Sequence, residues 1–430
     1  MTWLQRYHVR HYVENSIWIL PVLGMLAAML CVRLLHWVEL SLNWESRLDP
    51  DTARAVLGTL ASSMFTFVVF VSSALLVAVQ LASAQLTPRI IGLVFKDPVN
   101  RLALTLFVIT FTFSLGTLVR IKSSVPWLTT EVAAYGCVLS LGAFLFMIDH
   151  VGKALRPSGA LWAVARQGRQ VIESVYPQSL ADINAAVTLA AARIPDGETA
   201  ATIPSPKEGA VLAFDQAGLV ALARQANCVI EIVLQVGDHV ATGDPLFRIF
   251  PAAATVSASA LFPSIAVGQE RTLEQDATFP FRIMVDIASK ALSPAINDPT
   301  TAVLALDKIH YLLRLVGHRY LDTGEVRDEK GRLRLVYRTP DWEDFVRLAV
   351  TEIRHFGGES IQVARRLRAM LEDLIQTLPE SRAVLLRREL ALLQRSAERF
   401  FADPEDRALA GVGDLQGVGG KHEGKKKGTA

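Results

Sequence analysis

Residues whose types and spacing suit chemistry lie in two stretches. The first runs Arg271-Thr272-Leu273-Glu274-Gln275-Asp276, then Asp286, Lys290 and Ser293-Pro294-Ala295-Ile296-Asn297-Asp298-Pro299. The carboxylates of Asp276, Asp286, Asp298 and Asp307, with the imidazole of His310, are donor types that hold divalent cations; Arg271 and Lys290 suit an anion. Their spacing matches no metal motif. Asp286 and Lys290, four apart, also make an ordinary helix-surface ion pair. Asn297-Asp298-Pro299 also reads as a helix start, with an oxygen N-cap and proline at the first helical position. Arg271, Asp276, Asp286, Lys290, Asn297 and Asp298 are therefore a candidate site whose members each have a structural use. No metal or other cofactor is expected. The chain has no Walker loop, GxSxG, HExxH or strand–helix GxGxxG, and no nucleophile–base arrangement, so no enzymatic activity is expected.

The second stretch is Leu60–Arg89. From Met64 to Ala82 it carries no charge, which at ~1.5 Å per residue is enough to cross a ~30 Å hydrocarbon core. Ser62, Thr66, Ser73, Gln80, Ser83 and Thr87 fall on one helical face. Unpaired polar groups are costly in hydrocarbon, so this face turns toward protein or water. Either small polar residues pack against a neighbouring helix, or they line a pore. Just beyond, Arg89 suits a lipid phosphate or an ion pair with Asp97 at the membrane boundary.

These residues need elements to position them. The first 150 residues are strongly apolar and the remainder reads as a soluble protein, within a chain of 430 residues that is 51% hydrophobic. A formal net charge of +2 gives no case for nucleic acid. Cys31, Cys137 and Cys228 form no CxxC and no disulfide framework. Four spans are expected, at Ser16–Val38, within Leu60–Arg89, at Leu102–Val119 and at Leu128–Ile148. Trp18 and Trp37 suit the interfaces of the first. Thr105, Thr112 and Gly116 share a face of the third, and Glu131 sits in the first turn of the fourth. Arg6, Arg10, Arg89, Lys96, Arg101, Lys153 and Arg156 lie on one side, against Arg47, Arg54, Arg120 and Lys122 on the other. This bias predicts a bacterial inner-membrane protein with both termini cytoplasmic.

Beyond the spans, helical spacing continues from Leu155 to Ala192, and a Pro- and Thr-rich linker runs from Ile194 to Pro206. Strands are expected at Ala210–Phe214, Val229–Val233 and Leu246–Phe250, with a helix at Gln216–Gln225. VGDHVATGDPLFRI has the cadence of a barrel-sandwich module, without the Met-Lys-Met of a carrier domain. Helices are expected at Phe279–Leu292, from Pro299 to about Val316, from Asp341 through Leu378 with Gly357-Gly358 as a weak point, and at Pro379–Phe401. Leu333–Tyr337 reads as half a hairpin. The fold class is thus a membrane α-helical bundle of four transmembrane helices plus a cytoplasmic α+β domain with a small β-module and long C-terminal helices. The domain limits are 1–152 for the membrane part, 153–206 for a helical connector, 207–251 for the β-module, 252–410 for a mainly helical cytoplasmic domain with a hairpin and 411–430 for a disordered Gly/Lys-rich tail.

Several of these segments resemble one family. SSMFTFVVFVSSALLVAVQLASAQLTPR, FKDPVNRLALTLFVITFTF, RTLEQDATFPFRIMVDIASKALSPAINDPTTAV and DLQGVGG together resemble the bacterial membrane proteins filed as domain of unknown function 2254. The resemblance runs from the first span to Gly420, and implies four spans and a soluble module but no activity. The uncharged polar stripe, without a carboxylate or histidine at mid-membrane, points away from a pump. The expectation is a homo-oligomeric conduit for an ion or small solute, embedded in the lipid bilayer and gated or assembled by its cytoplasmic domain. The alternative is a membrane-anchored signalling or scaffold protein whose cytoplasmic helices bind a partner.

Overall fold

A computed structural model describes residues 1–42, 48–122, 125–184, 200–251, 253–254, 256–321 and 324–418. They divide into two compact units, Val9–Ala160 and Met1–His8 with Leu161–Ala430. Residues 43–47 with Arg47, residues 185–199 with the first part of the 194–206 linker, and the tail beyond Val418 lie outside the described residues.

Helix α1 (Trp3–Asn15) begins in the second unit and ends in the first. The first unit continues with α2 (Ile19–Leu42), α3 (Pro50–Gln85), a 3-10 turn at Pro88–Ile90, α4 (Ile91–Lys96), α5 (Pro98–Leu118) and α6 (Trp127–Ala154). Among the described residues, α2, α3, α5 and α6 are long and apolar enough to cross a membrane. α3 starts ten residues before the expected span because Asp49 caps it. The Asp49 carboxylate accepts from the amides of Asp51 and Thr52, both at 3.1 Å, and Pro50 takes the first position. Its 36 residues reach ~54 Å, well past the hydrocarbon thickness. Asp97 and Pro98 open α5 in the same way.

α5 is the inner helix, packing against α2, α3 and α6. Its approach to α2 is closest at Gly24, where a Cβ would stand 2.9 Å from side-chain carbons of Ile109 and Thr105. Two apolar layers fill the bundle. One joins Ala28, Val32, Leu57, Phe113 and Ala133; the other joins Val71, Leu75, Ala103, Phe107 and Met147.

In the second unit, α7 (Pro157–Val175), which begins just before the unit boundary, and α8 (Leu180–Asn184) precede β1 (Ala201–Pro204), β2 (Gly209–Phe214), α9 (Gln216–Gln225), β3 (Val229–Ile232), β4 (His239–Val240) and β5 (Pro245–Phe250). Next come α10 (Ala258–Leu261), β6 (Ile265–Gly268), α11 (Phe279–Ala291), α12 (Pro299–Gly317), β7 (Glu325–Arg327) and β8 (Leu333–Tyr337). The chain closes with α13 (Trp342–Phe356), α14 (Ile361–Thr377), α15 (Glu380–Phe400) and α16 (Pro404–Ala410).

The strands of the 207–251 module pair with strands on either side of it in sequence. One sheet has the order β1-β5-β3-β8-β7, the other β4-β2-β6. β3 lies between β5, antiparallel, and β8, parallel, with Ile230 opposite Leu335. Strand β8, read from the sequence as half a hairpin, pairs with β7 and also joins the larger sheet through β3. Buried Ile230, Ile232, Phe247, Ile249 and Leu335 make that sheet's core. Trp3, Leu4 and Tyr7 of α1 pack on Ala210, Leu212 and Ala266 of the smaller sheet.

The single helix expected over 341–378 is two. α13 stops at Gly357, and Ser360 caps α14 by accepting from the Val363 amide at 3.4 Å. The first residues of the expected disordered tail, 411–418, are ordered. Asp414 is buried, its amide donates to the Arg365 carbonyl at 3.1 Å, and Gln362 donates to the Gly417 carbonyl at 2.7 Å. Residues 411–418 thus form a strap held on α14 by hydrogen bonds to the strap's own backbone that glycine content alone does not reveal.

Candidate functional site

The stripe on α3 faces outward. Ser62, Thr66, Ser73 and Gln80 are exposed, Ser83 is half-buried and Thr87 is buried. The face of α3 that meets the bundle is instead Leu57, Ala61, Met64, Val71, Leu75 and Val79. Among the described residues of one copy, then, Ser62, Thr66, Ser73 and Gln80 pack in no helix interface and line no internal channel. Thr66 donates its hydroxyl to the Ser62 carbonyl at 3.0 Å, and Ser63 to Thr59 at 2.8 Å. Hydroxyls bonded to their own helix lie cheaply against lipid. Gln80 carries an amide that such a bond does not satisfy.

The polar groups inside the bundle sit mainly on α5. Thr105, Thr110, Thr112, Ser114 and Thr117 are all buried. The hydroxyls of Thr105, Thr112 and Thr117 donate to carbonyls four residues back, and those of Thr110 and Ser140 of α6 lie 3.0 Å apart. Glu39, at the end of α2, is 3% exposed; it accepts from the Thr129 amide at 2.8 Å and the Thr129 hydroxyl at 3.3 Å. A carboxylate at this N-terminus is what the helix dipole favours, but it comes from another helix. Glu131, expected in that role, lies one turn further on, since α6 begins at Trp127.

At the other boundary Asp97 accepts from the amides of Val99 and Asn100 at 2.9 and 3.3 Å, and His150 Nε2 lies 2.9 Å from its second oxygen. Of the two uses the sequence offers for Arg89, lipid phosphate or an ion pair with Asp97, the second is taken by His150, because the end of α6 meets the start of α5. Arg89 is exposed. Thr87 accepts from the Arg89 amide at 3.4 Å and starts the 3-10 turn.

The six soluble residues do not form one site. α11 separates them, since its 13 residues hold its two ends ~20 Å apart. At its start, Asp276 Oδ1 accepts from the Thr278 amide (3.0 Å), the Thr278 hydroxyl (2.7 Å) and the Phe279 amide (3.0 Å). Arg271 Nε donates to Oδ2 at 2.8 Å, and Arg271 Nη2 donates to the Thr278 hydroxyl at 2.9 Å. The carboxylate is 2% exposed and saturated. Gly237, with φ of +96°, closes the cluster; a Cβ there would lie 2.6 Å from Arg271 Nη2 and Asp276 Oδ2. The VGD turn and the RTLEQDAT segment, far apart in sequence, thus meet.

On the flank of α11, Asp286 is held by Arg282 at 2.7 Å, and Arg282 also reaches Glu352 of α13 through Nη2 at 2.7 Å. This bond keeps the Glu352 carboxyl below its usual range. Lys290 is half-buried one turn on. At the far end Asn297 adopts φ of +47°, and Asp298 caps α12 by accepting from the Thr301 amide at 3.0 Å and its hydroxyl at 2.5 Å. Asp307 pairs with Arg366 at 2.7 Å. His310 Nε2 meets Asp373 at 2.8 Å, and its Nδ1 faces Arg366 Nη2 at 3.2 Å. Burial pushes the imidazole pKa down. Among the described residues no three His, Cys, Asp or Glu side chains gather to hold a metal ion.

Comparison with known proteins agrees with this architecture. An uncharacterized protein of Mycobacterium bovis and one of Mycobacterium tuberculosis are each 26% identical over 427 residues, covering 94% of this chain and 80% of the relative. No solved structure matches the chain. A family model described as "Predicted membrane protein (DUF2254)" matches residues 14–373. That span takes in all four apolar helices and most of the second unit, so the chain belongs to this family of predicted membrane proteins.

Proposed function

We propose that the protein acts as a homo-oligomeric membrane conduit for an ion or small solute, its axis bordered by the outward face of α3. The observation that carries this reading is the contrast between a filled bundle and an exposed stripe. Phe107, Leu57 and Val32 plug the interior of one copy, so a path within a single bundle has no room. Ser62, Thr66, Ser73 and Gln80 face away from that interior. Cyclic symmetry would bring these faces together around an axis. The soluble unit, on the cytoplasmic side by the basic-residue bias, then assembles or gates the ring. No catalytic role is part of this proposal.

The test places single cysteines at Ser62, Thr66, Ser73 and Gln80 in a background lacking Cys31, Cys137 and Cys228. Small polar thiol reagents should modify these positions in native membranes, and spare cysteines at Leu57 and Leu75 in the bundle interior. Gln80→Leu should change solute flux in proteoliposomes while the assembly keeps its size. A stripe closed to reagent together with liposomes that pass no ion would end the conduit reading. A second reading, a membrane-anchored scaffold, draws support from exposed Val412, Leu415 and Val418 beside α16. Partner recruitment lost on replacing those three with serine, without any flux, would favour it.

A further inference from the structure

The second unit holds a cavity of about 190 Å³ at the junction of five connecting segments. They are the end of α7, the β2–α9 junction, the turn after β3, the residues before α11 and the residues after β8. Its polar lining separates into two sets. In the first, each group already has a partner. Asp276 is saturated as described above; Gln275 accepts from the Phe214 amide at 3.0 Å and donates to the Phe214 carbonyl at 3.2 Å; the Tyr176 hydroxyl donates to the Pro340 carbonyl at 3.2 Å. In the second set, the side chains of Gln216, Gln235 and Arg338 make no hydrogen bond or ion pair with any described residue. An apolar wall completes the space, where the rings of Phe214 and Tyr337 meet edge to face with centroids 4.8 Å apart.

We infer that this cavity binds a small planar organic carboxylate, with Arg338 taking the carboxylate, Gln216 and Gln235 its polar edge and the Phe214–Tyr337 wall its flat body. The charge balance selects an anion. The one carboxylate in the lining, Asp276, is neutralised by Arg271, which leaves the Arg338 guanidinium as the net charge. Asp341 and Asp344 follow closely in sequence, but each accepts from the other's backbone amide, at 2.9 and 3.0 Å, in the capping box of α13. A guanidinium offers paired donors that match a carboxylate, and an uncommitted amide can give or take a hydrogen bond. A cavity near 150 Å³ accommodates benzene, so this one suits roughly six to ten non-hydrogen atoms. Loops converging from a rigid scaffold are where ligand sites commonly form. The inference is independent of conduction, because binding is read without flux.

The experiment is calorimetric titration of full-length protein in detergent at constant ionic strength, with benzoate, nicotinate, benzamide and inorganic phosphate as probes. Benzoate or nicotinate should bind saturably, and benzamide and phosphate at least about ten-fold more weakly. Arg338→Gln should weaken the carboxylate about ten-fold or more and leave benzamide unchanged. Gln235→Leu should weaken nicotinate more than benzoate, since nicotinate's ring nitrogen accepts from an amide. Arg332→Gln, exposed and outside the cavity, is the control and should bind as the parent does. Arg338 is itself exposed, so its substitution leaves the fold intact. Absence of saturable binding by both carboxylates, equal affinity in the parent and Arg338→Gln, or phosphate binding as tightly as benzoate would each overturn the inference.

Discussion

In the membrane unit, Thr59, Ser63, Thr66, Thr105, Thr112 and Thr117 all donate to carbonyls four residues earlier in their own helices. In the soluble unit, Arg282 reaches Glu352, Arg366 reaches Asp307, and Arg334 reaches Asn227 across 107 residues of sequence. The first unit satisfies its polar atoms within a turn, because a donor left open in hydrocarbon has no water to fall back on. The second uses charged groups to tie distant segments together; the guanidiniums of Arg334 and Arg366 are buried, so their partners offset the cost of taking the charge out of water. Cross-links between helices in the bundle are fewer: Glu39 reaches Thr129 over 90 residues, His150 meets Asp97, and the hydroxyls of Thr110 and Ser140 meet.

That contrast makes graded predictions. Arg271→Met, which leaves the buried Asp276 carboxylate without its cation, should destabilise the soluble unit most, by about 3 kcal/mol, measured by denaturant unfolding followed by tryptophan fluorescence. Glu39→Leu should lower the stability of the bundle by about 2 kcal/mol, because the Thr129 amide loses its acceptor; unfolding in mixed detergent reads this. An unchanged midpoint would mean that Glu39 does not join α2 to α6. Asp298→Ala should cost about 1 kcal/mol through loss of the α12 cap, equally with and without added Ca²⁺ or Mg²⁺; dependence on either ion would restore the metal reading of this turn.

His310 gives an effect confined to a pH window. It faces Asp373, Arg366 and, through Arg366, Asp307, with Arg314 close to Asp373. Burial lowers its folded-state pKa below the usual 6.5. Above 6.5 it is neutral whether the chain is folded or unfolded, so it adds nothing to the pH dependence. Below 6.5 the unfolded chain binds the proton first, and stability falls as pH drops toward the folded value. His310→Gln should flatten the unfolding midpoint below pH 6.5 and leave it unchanged above pH 7. The smallest effect is expected at Thr66→Val, within about 0.5 kcal/mol in a single copy, since its hydroxyl serves only its own helix. A large loss of assembly there, seen by size-exclusion chromatography, would show that the stripe is held between copies.

How much of this was legible depends on how local the signal is. The four apolar helices, the Asp298 cap and the α12 stripe of Ala302, Leu306, Ile309 and Leu313 follow from spacing within a few turns. The polar face of α3 was equally visible, but periodicity defines faces without saying which one is inside. The α5 hydroxyls, of which only Thr105 and Thr112 stood out, are the ones the bundle buries. Glu39 gave no signal, because a carboxylate at a helix end reads as solvent-facing until the neighbouring helix is placed. Arg271, Asp276 and Asp298 looked like one constellation because sequence distance hides the length of α11. Gln216, Gln235 and Arg338 come from three separate connections, and no motif links them.

The parallel pairing of β3 with β8 also bears on how the chain is made. Ile230 sits opposite Leu335, so the middle strand of the larger sheet waits about a hundred residues for its second neighbour. All four apolar helices have left the ribosome by then, since α6 ends at Ala154. Late, long-range strand pairing is slow, and an open strand edge invites other chains. During that interval β3 has β5 on one side and nothing on the other. Nascent chains stopped between Phe250 and Leu333 should therefore be the species most prone to aggregate, and release beyond Tyr337 should be the point at which the larger sheet becomes protease-resistant.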